Sequence, residues 1–218
     1  MELIKRKHHK EKFSTYFDLR DACAQNRCPV CRLLDRGTER SMENLLYENV
    51  NDGGIRARLR KSLGFCKEHA LFLIKIGDTL GIAIIYQDIL RSILKSYTGE
   101  PSFGLPTAQC PVCELRSKNE RGLIDTLVEY LDDSEMKSAL EKSEGVCLPH
   151  LYHLWQACKD SSKREWITDL HAQILRKLRA RLSSYVRKQD VQFQNERVTD
   201  AEQTSCEEAI SFLTGTNA

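Results

Sequence analysis

The chain predicts an all-α protein made by tandem duplication of one helical module. Three observations carry this. The run Cys28-Pro29-Val30-Cys31 recurs as Cys110-Pro111-Val112-Cys113. Each copy is followed by a second half-motif, K-S-x-G-[FV]-C-x-x-H, at Lys61–His69 and Lys142–His150, with 34 residues between Cys31 and Cys66 and 33 between Cys113 and Cys147. Apolar residues recur with the helical period, and no stretch keeps the period-two alternation of a half-buried strand.

The elements follow in order. The first residues, including His8 and His9, are basic and lack the apolar segment of an export signal. Met42, Leu45 and Leu46 in copy one match Ile124, Leu127, Val128 and Leu131 in copy two as one helix face. Asn51-Asp52-Gly53-Gly54 and Asp132-Asp133-Ser134 read as turns at matching places, and Asp133 or Ser134 can cap the helix that follows. Past the histidines, Ile82, Ile85, Tyr86, Ile89, Leu90, Ile93 and Leu94 form one apolar stripe, and Ile167, Leu170, Ile174, Leu178, Leu182 and Tyr185 form its counterpart. Thr199-Asp200-Ala201-Glu202 fits a capping box that opens a last short helix. Each module should run helix, CPVC turn, helix, short helix, G-x-C-x-x-H and a long helical pair. The expected division is a first module over 1–97, a linker over 98–109, a second module over 110–190 and a tail over 191–218.

The half-motifs have the chemistry of a zinc site. Zinc takes four ligands in a tetrahedron; C-x-x-C sets two sulfurs near one ion, and C-x-x-H puts two more ligands on one helix face. Gly64 and Gly145 permit a sharp entry into that helix. Pairing within a repeat gives Cys28, Cys31, Cys66 and His69 for one ion, and Cys110, Cys113, Cys147 and His150 for the second. Pairing between repeats is the alternative. Nine cysteines in a chain without an export signal suit metal ligands in a reducing, cytoplasmic setting. An iron–sulfur cluster is the less favoured cofactor, because all-cysteine ligation is its usual pattern. Haem attachment is excluded, since neither C-x-x-C is followed by histidine.

Other candidates read as structural. Cys23 and Cys158 lack repeat partners, Leu105 standing where a match for Cys23 would fall, and Cys206 shares a helical face with Ala209, Ile210 and Leu213, which suggests core. His153 is an alternative ligand three residues past His150, although Phe72 occupies its aligned place; His171 aligns with Tyr86 on an apolar face. Glu68 lies between two ligands, but Pro149 replaces it in copy two, so it is read as a surface residue and not as a duplicated base.

The run Phe17-Asp18-Leu19-Arg20-Asp21-Ala22, the two G-x-C-x-x-H motifs and the closing Ala209-Ile210-Ser211-Phe212-Leu213-Thr214-Gly215 resemble an uncharacterised prokaryotic family of helical cysteine-rich proteins. The resemblance implies a helical metal-binding body and no established activity.

Function is bounded more loosely. A formal charge of +2, which two zinc ions and six thiolates lower by two, marks neither a strongly basic nor an acidic protein. No stretch is long and apolar enough for a bilayer. No catalytic constellation is present, and four protein ligands leave no open position on the metal. The leading expectation is a non-enzymatic interaction or adaptor module whose partner is another protein. A thiol–zinc redox or metal-responsive switch is the first alternative. Nucleic-acid binding is the second, through a basic helix over 161–190 carrying Lys163, Arg164, Arg176, Lys177, Arg179, Arg181, Arg187 and Lys188 against Glu165, Asp169 and Asp190. Without aromatic platforms, such a face should attract polyanions only weakly and non-specifically.

Overall fold

The computed structural model describes residues 11–96, 106–193 and 195–215. His8, His9 and the linker residues Pro101, Gly104 and Leu105 lie outside them. All regular structure among the described residues is helical: α1 (Ser14–Ala22), α2 (Pro29–Tyr47), α3 (Gly53–Lys61), α4 (Lys67–Ile76), α5 (Thr79–Ser96), α6 (Pro111–Tyr130), α7 (Ser134–Lys142), α8 (Leu148–Ala157), α9 (Ser161–Lys188), a 3-10 turn (Val191–Phe193), α10 (Asp200–Gln203) and α11 (Ser205–Thr214).

The compact units cut across the sequence repeats. One unit comprises residues 1–33 and 122–218, and the other comprises residues 34–121. The boundaries fall inside α2 and α6. Each unit therefore holds the CPVC end of one copy or the other, together with the G-x-C-x-x-H segment of the opposite copy.

In the first unit α1 packs on α7, and α11 packs on α8 and α9. Tyr16 is fully buried in α1. Its ring meets Tyr130 edge-on at 4.9 Å, and its hydroxyl donates to Asp133 Oδ1 over 2.6 Å while Lys12 Nζ donates to it over 2.9 Å. Asp133 also caps α7, accepting from the Glu135 and Met136 amides. The expected capping box opens α10, with Thr199 and Glu202 bonded reciprocally.

In the second unit Met42, Leu46, Leu59, Phe65, Leu73, Ile85 and Ile89 form the core, continuous with Cys110 and Val112. Asp52 caps α3 by accepting from Ile55 N over 2.7 Å.

Three expectations change. The CPVC motifs are not turns ahead of a helix: Pro29 and Pro111 already occupy the first helical position, where a missing amide hydrogen costs nothing. The α5 stripe divides, with Ile85 and Ile89 buried but Leu90 and Leu94 exposed. On α11 the apolar face read from Cys206, Ile210 and Leu213 points outward, and Ser205 and Phe212 are buried instead. Glu208, on the buried side of α11 with Ser205 and Phe212, pairs with Arg181 of α9.

Candidate metal centres

All four half-motifs have one local geometry. The carbonyls of Cys28, Cys66, Cys110 and Cys147 accept the amides of Arg32, Ala70, Glu114 and Leu151, the first hydrogen bond of α2, α4, α6 and α8. The first cysteine of each motif thus stands at the N-cap, and Cys31, His69, Cys113 or His150 stands three residues later on the same face. Gly64 and Gly145 both have positive φ, 95° and 71°, which admits the chain to α4 and α8. Two helix N-termini converge on each group, and their dipoles favour thiolates there.

The groups form across the repeats. Cys28, Cys31, Cys147 and His150 lie together in the first unit, and Cys66, His69, Cys110 and Cys113 in the second. Within each group the ligand atoms all fall within 4.8 Å of one another. This corrects the expected within-repeat pairing. The reason is helix length: α2 and α6 rise about 28–30 Å, whereas α3 and α7 retrace only about 13 Å. The short return helix does not bring a G-x-C-x-x-H segment back to its own CPVC.

In the first group His150 Nδ1 lies 3.0, 3.3 and 3.5 Å from the sulfurs of Cys147, Cys31 and Cys28, and the Cys31 and Cys147 sulfurs are 3.6 Å apart. In the second, His69 Nδ1 lies 3.1, 3.4 and 3.7 Å from those of Cys66, Cys113 and Cys110, and the Cys66 and Cys113 sulfurs are 3.6 Å apart. Tetrahedral bonds of about 2.3 Å to sulfur and 2.0 Å to nitrogen put sulfurs about 3.8 Å apart and sulfur about 3.5 Å from nitrogen. Both groups match the span of a single ion.

The side chains of each group shift one another's protonation. Burial opposes ionisation of Cys28, but contacts with Cys147, Cys31 and His150 outweigh it and hold its thiol well below the usual range. Contacts with Cys147 and Cys28 push Cys31 upward, and burial adds to this. Burial pulls His150 down, yet the Cys147 and Cys28 sulfurs raise it to about 10. In the second group burial lowers His69, and burial with Cys66 pushes Cys113 up to about 12. A cation must expel such protons on binding.

The groups differ in cover. All four residues of the first are buried, whereas Cys66 and Cys113 of the second are partly exposed. The cover in the first unit is the end of α11. Gly215, at φ 73°, ends that helix so close to the sulfurs that an added Cβ would lie 3.3 Å from Cys147 Sγ and 3.4 Å from Cys31 Sγ. The spacing of the cysteines and histidines gives no hint of this role; in the sequence Gly215 stands out only as the end of the closing Ala209–Gly215 run.

Of the remaining candidates, His171 is buried with both ring nitrogens used: Nδ1 donates to Ile167 O over 2.7 Å, and Nε2 accepts from Val146 N over 3.0 Å. His153 is exposed and belongs to neither group. Glu68 is exposed, Cys23 and Cys158 are buried, and Cys206 is exposed. On α9, Lys163 is held by Asp132 and two carbonyls, Arg164 stacks on Trp155, and Arg181, Arg187 and Lys188 pair with Glu208, Glu196 and Glu202. No helix among the described residues is long and apolar enough to cross a membrane.

A model of a family of unknown function, DUF6062, matches the chain twice, over residues 10–103 and 104–218. The chain is also 32% identical to an uncharacterized 23.9 kDa protein in the xynA 3' region of Caldicellulosiruptor sp. (strain Rt8B.4), an alignment covering 88% of this chain and 97% of that one. No solved structure matches.

Proposed function

We propose that this chain, which belongs to the family of unknown function DUF6062, is a non-enzymatic zinc protein that works by contact with other proteins. In this reading each group of three cysteines and one histidine holds one structural zinc ion. The observation that carries the reading is the close approach of four ligand atoms, three sulfurs and one imidazole nitrogen, at two converging helix N-termini. Sulfurs 3.6 Å apart favour a single ion over an iron–sulfur cluster, whose ligands spread around several irons. Engagement of five α9 cations within their own unit leaves Arg176, Lys177 and Arg179 as the solvated remainder, which argues against a phosphate-reading helix.

Partial exposure of Cys66 and Cys113 favours a second reading, in which the second centre responds to oxidants or to competing metal chelators. Native mass spectrometry of anaerobically purified protein tests the structural role, with a thermal melt before and after chelation. The expected result is two zinc ions per chain and loss of helical signal with the metal. One ion per chain, iron with visible absorption, or full helicity after both ions are removed would each overturn it.

A further inference from the structure

Each centre contains a pair of sulfurs contributed by different helices and set 3.6 Å apart: Cys31 and Cys147 in the first unit, Cys66 and Cys113 in the second. The pairs are equivalent by descent. In each, the N-cap cysteine of a G-x-C-x-x-H helix faces the third-position cysteine of a CPVC helix. Their surroundings differ. Cys31 and Cys147 are each 2% exposed, and the left-handed Gly215 lies over this same pair of sulfurs. Cys66 and Cys113 are partly exposed, whereas Cys110 and His69 of their group are buried. In the second unit the two thiols that solvent reaches are also two that touch.

That coincidence has a definite chemistry. A cysteine becomes a reversible oxidation site when it is accessible and a second thiol stands ready to resolve its sulfenic acid. We propose that Cys66 and Cys113 are the oxidation site of this protein, with a hydroperoxide as the oxidant and a disulfide between α4 and α6 as the product. This regulation presupposes the zinc reading of the second centre.

The step balances as follows. One thiolate attacks a peroxide oxygen; the O–O bond breaks, an S–O bond forms, and alkoxide or hydroxide leaves. The other thiolate attacks that sulfur; the S–O bond breaks, the S–S bond forms, and hydroxide leaves. The two sulfurs give up one electron each, one peroxide accepts both, and water protonates the departing oxygens. Cys110 is the competing partner, three residues from Cys113 on the same helix. Either member of the Cys66–Cys113 pair can meet the oxidant, whereas buried Cys110 can only answer Cys113. Oxidation leaves Cys110 and His69 as the remaining ligands, too few to hold zinc. The disulfide then joins the two helices that the ion had joined, across 47 positions of chain.

The test is one equivalent of hydrogen peroxide added to anaerobically purified full-length protein carrying Cys206→Ser, which removes an exposed thiol belonging to neither group. Zinc counted before oxidation tests the zinc reading by itself; disulfide mapping of peptides afterwards tests the pair. The expected product is a Cys66–Cys113 link with release of one ion per chain, and dithiothreitol with added zinc should restore that ion. Cys66 and Cys113 should oxidise at least about tenfold faster than Cys31 and Cys147, whose separation is the same and whose access is not. A dominant Cys110–Cys113 link, equal oxidation of both centres, or sulfinic acid without a disulfide would each overturn the proposal. A protein that holds no zinc at the outset yet closes the Cys66–Cys113 bond would overturn the zinc reading and leave the pair as assigned.

Discussion

The two centres share one ligand set and one local geometry, yet the first is sealed and the second is partly open. Each presents an N-cap cysteine and a third-position cysteine or histidine from two helices. The first is closed by α11, which follows the second copy in the chain and packs on α8 and α9. Cys66 and Cys113 of the second stay accessible. Duplication therefore copied the chemistry, and a segment outside the duplicated motifs set its exposure.

The largest expected effect tests which half-motifs share an ion. Structural zinc contributes on the order of 10–16 kcal/mol in small peptides, so a lost ligand should release the ion and unfold its unit. Cys31→Ser and Cys147→Ser should each leave one ion per chain, and their combination should still leave one. Cys31→Ser with Cys66→Ser should leave none. Native mass spectra showing one ion in that last variant, and none in the Cys31/Cys147 pair, would restore pairing within repeats and end the comparison.

Next comes the order of release. Under limiting chelator and a thiol-alkylating reagent, Cys66 and Cys113 should be modified before Cys28, Cys31 and Cys147, by about tenfold or more in rate, because reactivity follows thiolate access. Peptide mapping over time reads this out. Equal rates would mean that the cover provided by α11 has no kinetic consequence.

Gly215→Ala sharpens the role of that cover. A Cβ in the left-handed conformation costs about 1–2 kcal/mol. Here it also presses on two ligand sulfurs. The variant should lower the melting temperature and speed loss of the first ion alone. Gly77→Ala, left-handed at the end of α4 with its nearest neighbour at 4.0 Å, should cost similar stability and leave both ions in place. If both variants retain metal equally, Gly215 is only a helix terminator.

The smallest effect concerns acid. Burial would raise Asp133, but the Tyr16 hydroxyl, the Met136 amide and Lys12 hold it at about 2. A carboxylate depressed in the folded state stabilises it above the ordinary carboxylate pKa near 3.9, and that stability is lost as pH falls toward about 2. Tyr16→Phe should therefore cost about 1 kcal/mol at neutral pH and flatten the loss of first-unit stability between about pH 4 and 2. An unchanged acid profile, followed by urea melts across that range, would show that Lys12 and the α7 amides hold Asp133 without the tyrosine.

Much of this protein was legible before its structure. The eight cysteines and histidines that gather in two groups, the helical class, the caps at Asp133 and Thr199 and the structural role of His171 follow from spacings of three or four residues, which a helix turns directly into neighbours. What spacing cannot carry is which distant segment meets which. Four interchangeable half-motifs satisfy zinc in more than one pairing, and the choice fell to the mismatch between long α2 and α6 and short α3 and α7. The outward turn of Cys206, Ile210 and Leu213 is likewise a matter of distant partners: Arg181 of α9 holds Glu208 on the opposite side of α11. Local periodicity determined the elements and their chemistry; rigid helix lengths and long-range ion pairs decided the partners, because each half-motif looks the same from within its own helix.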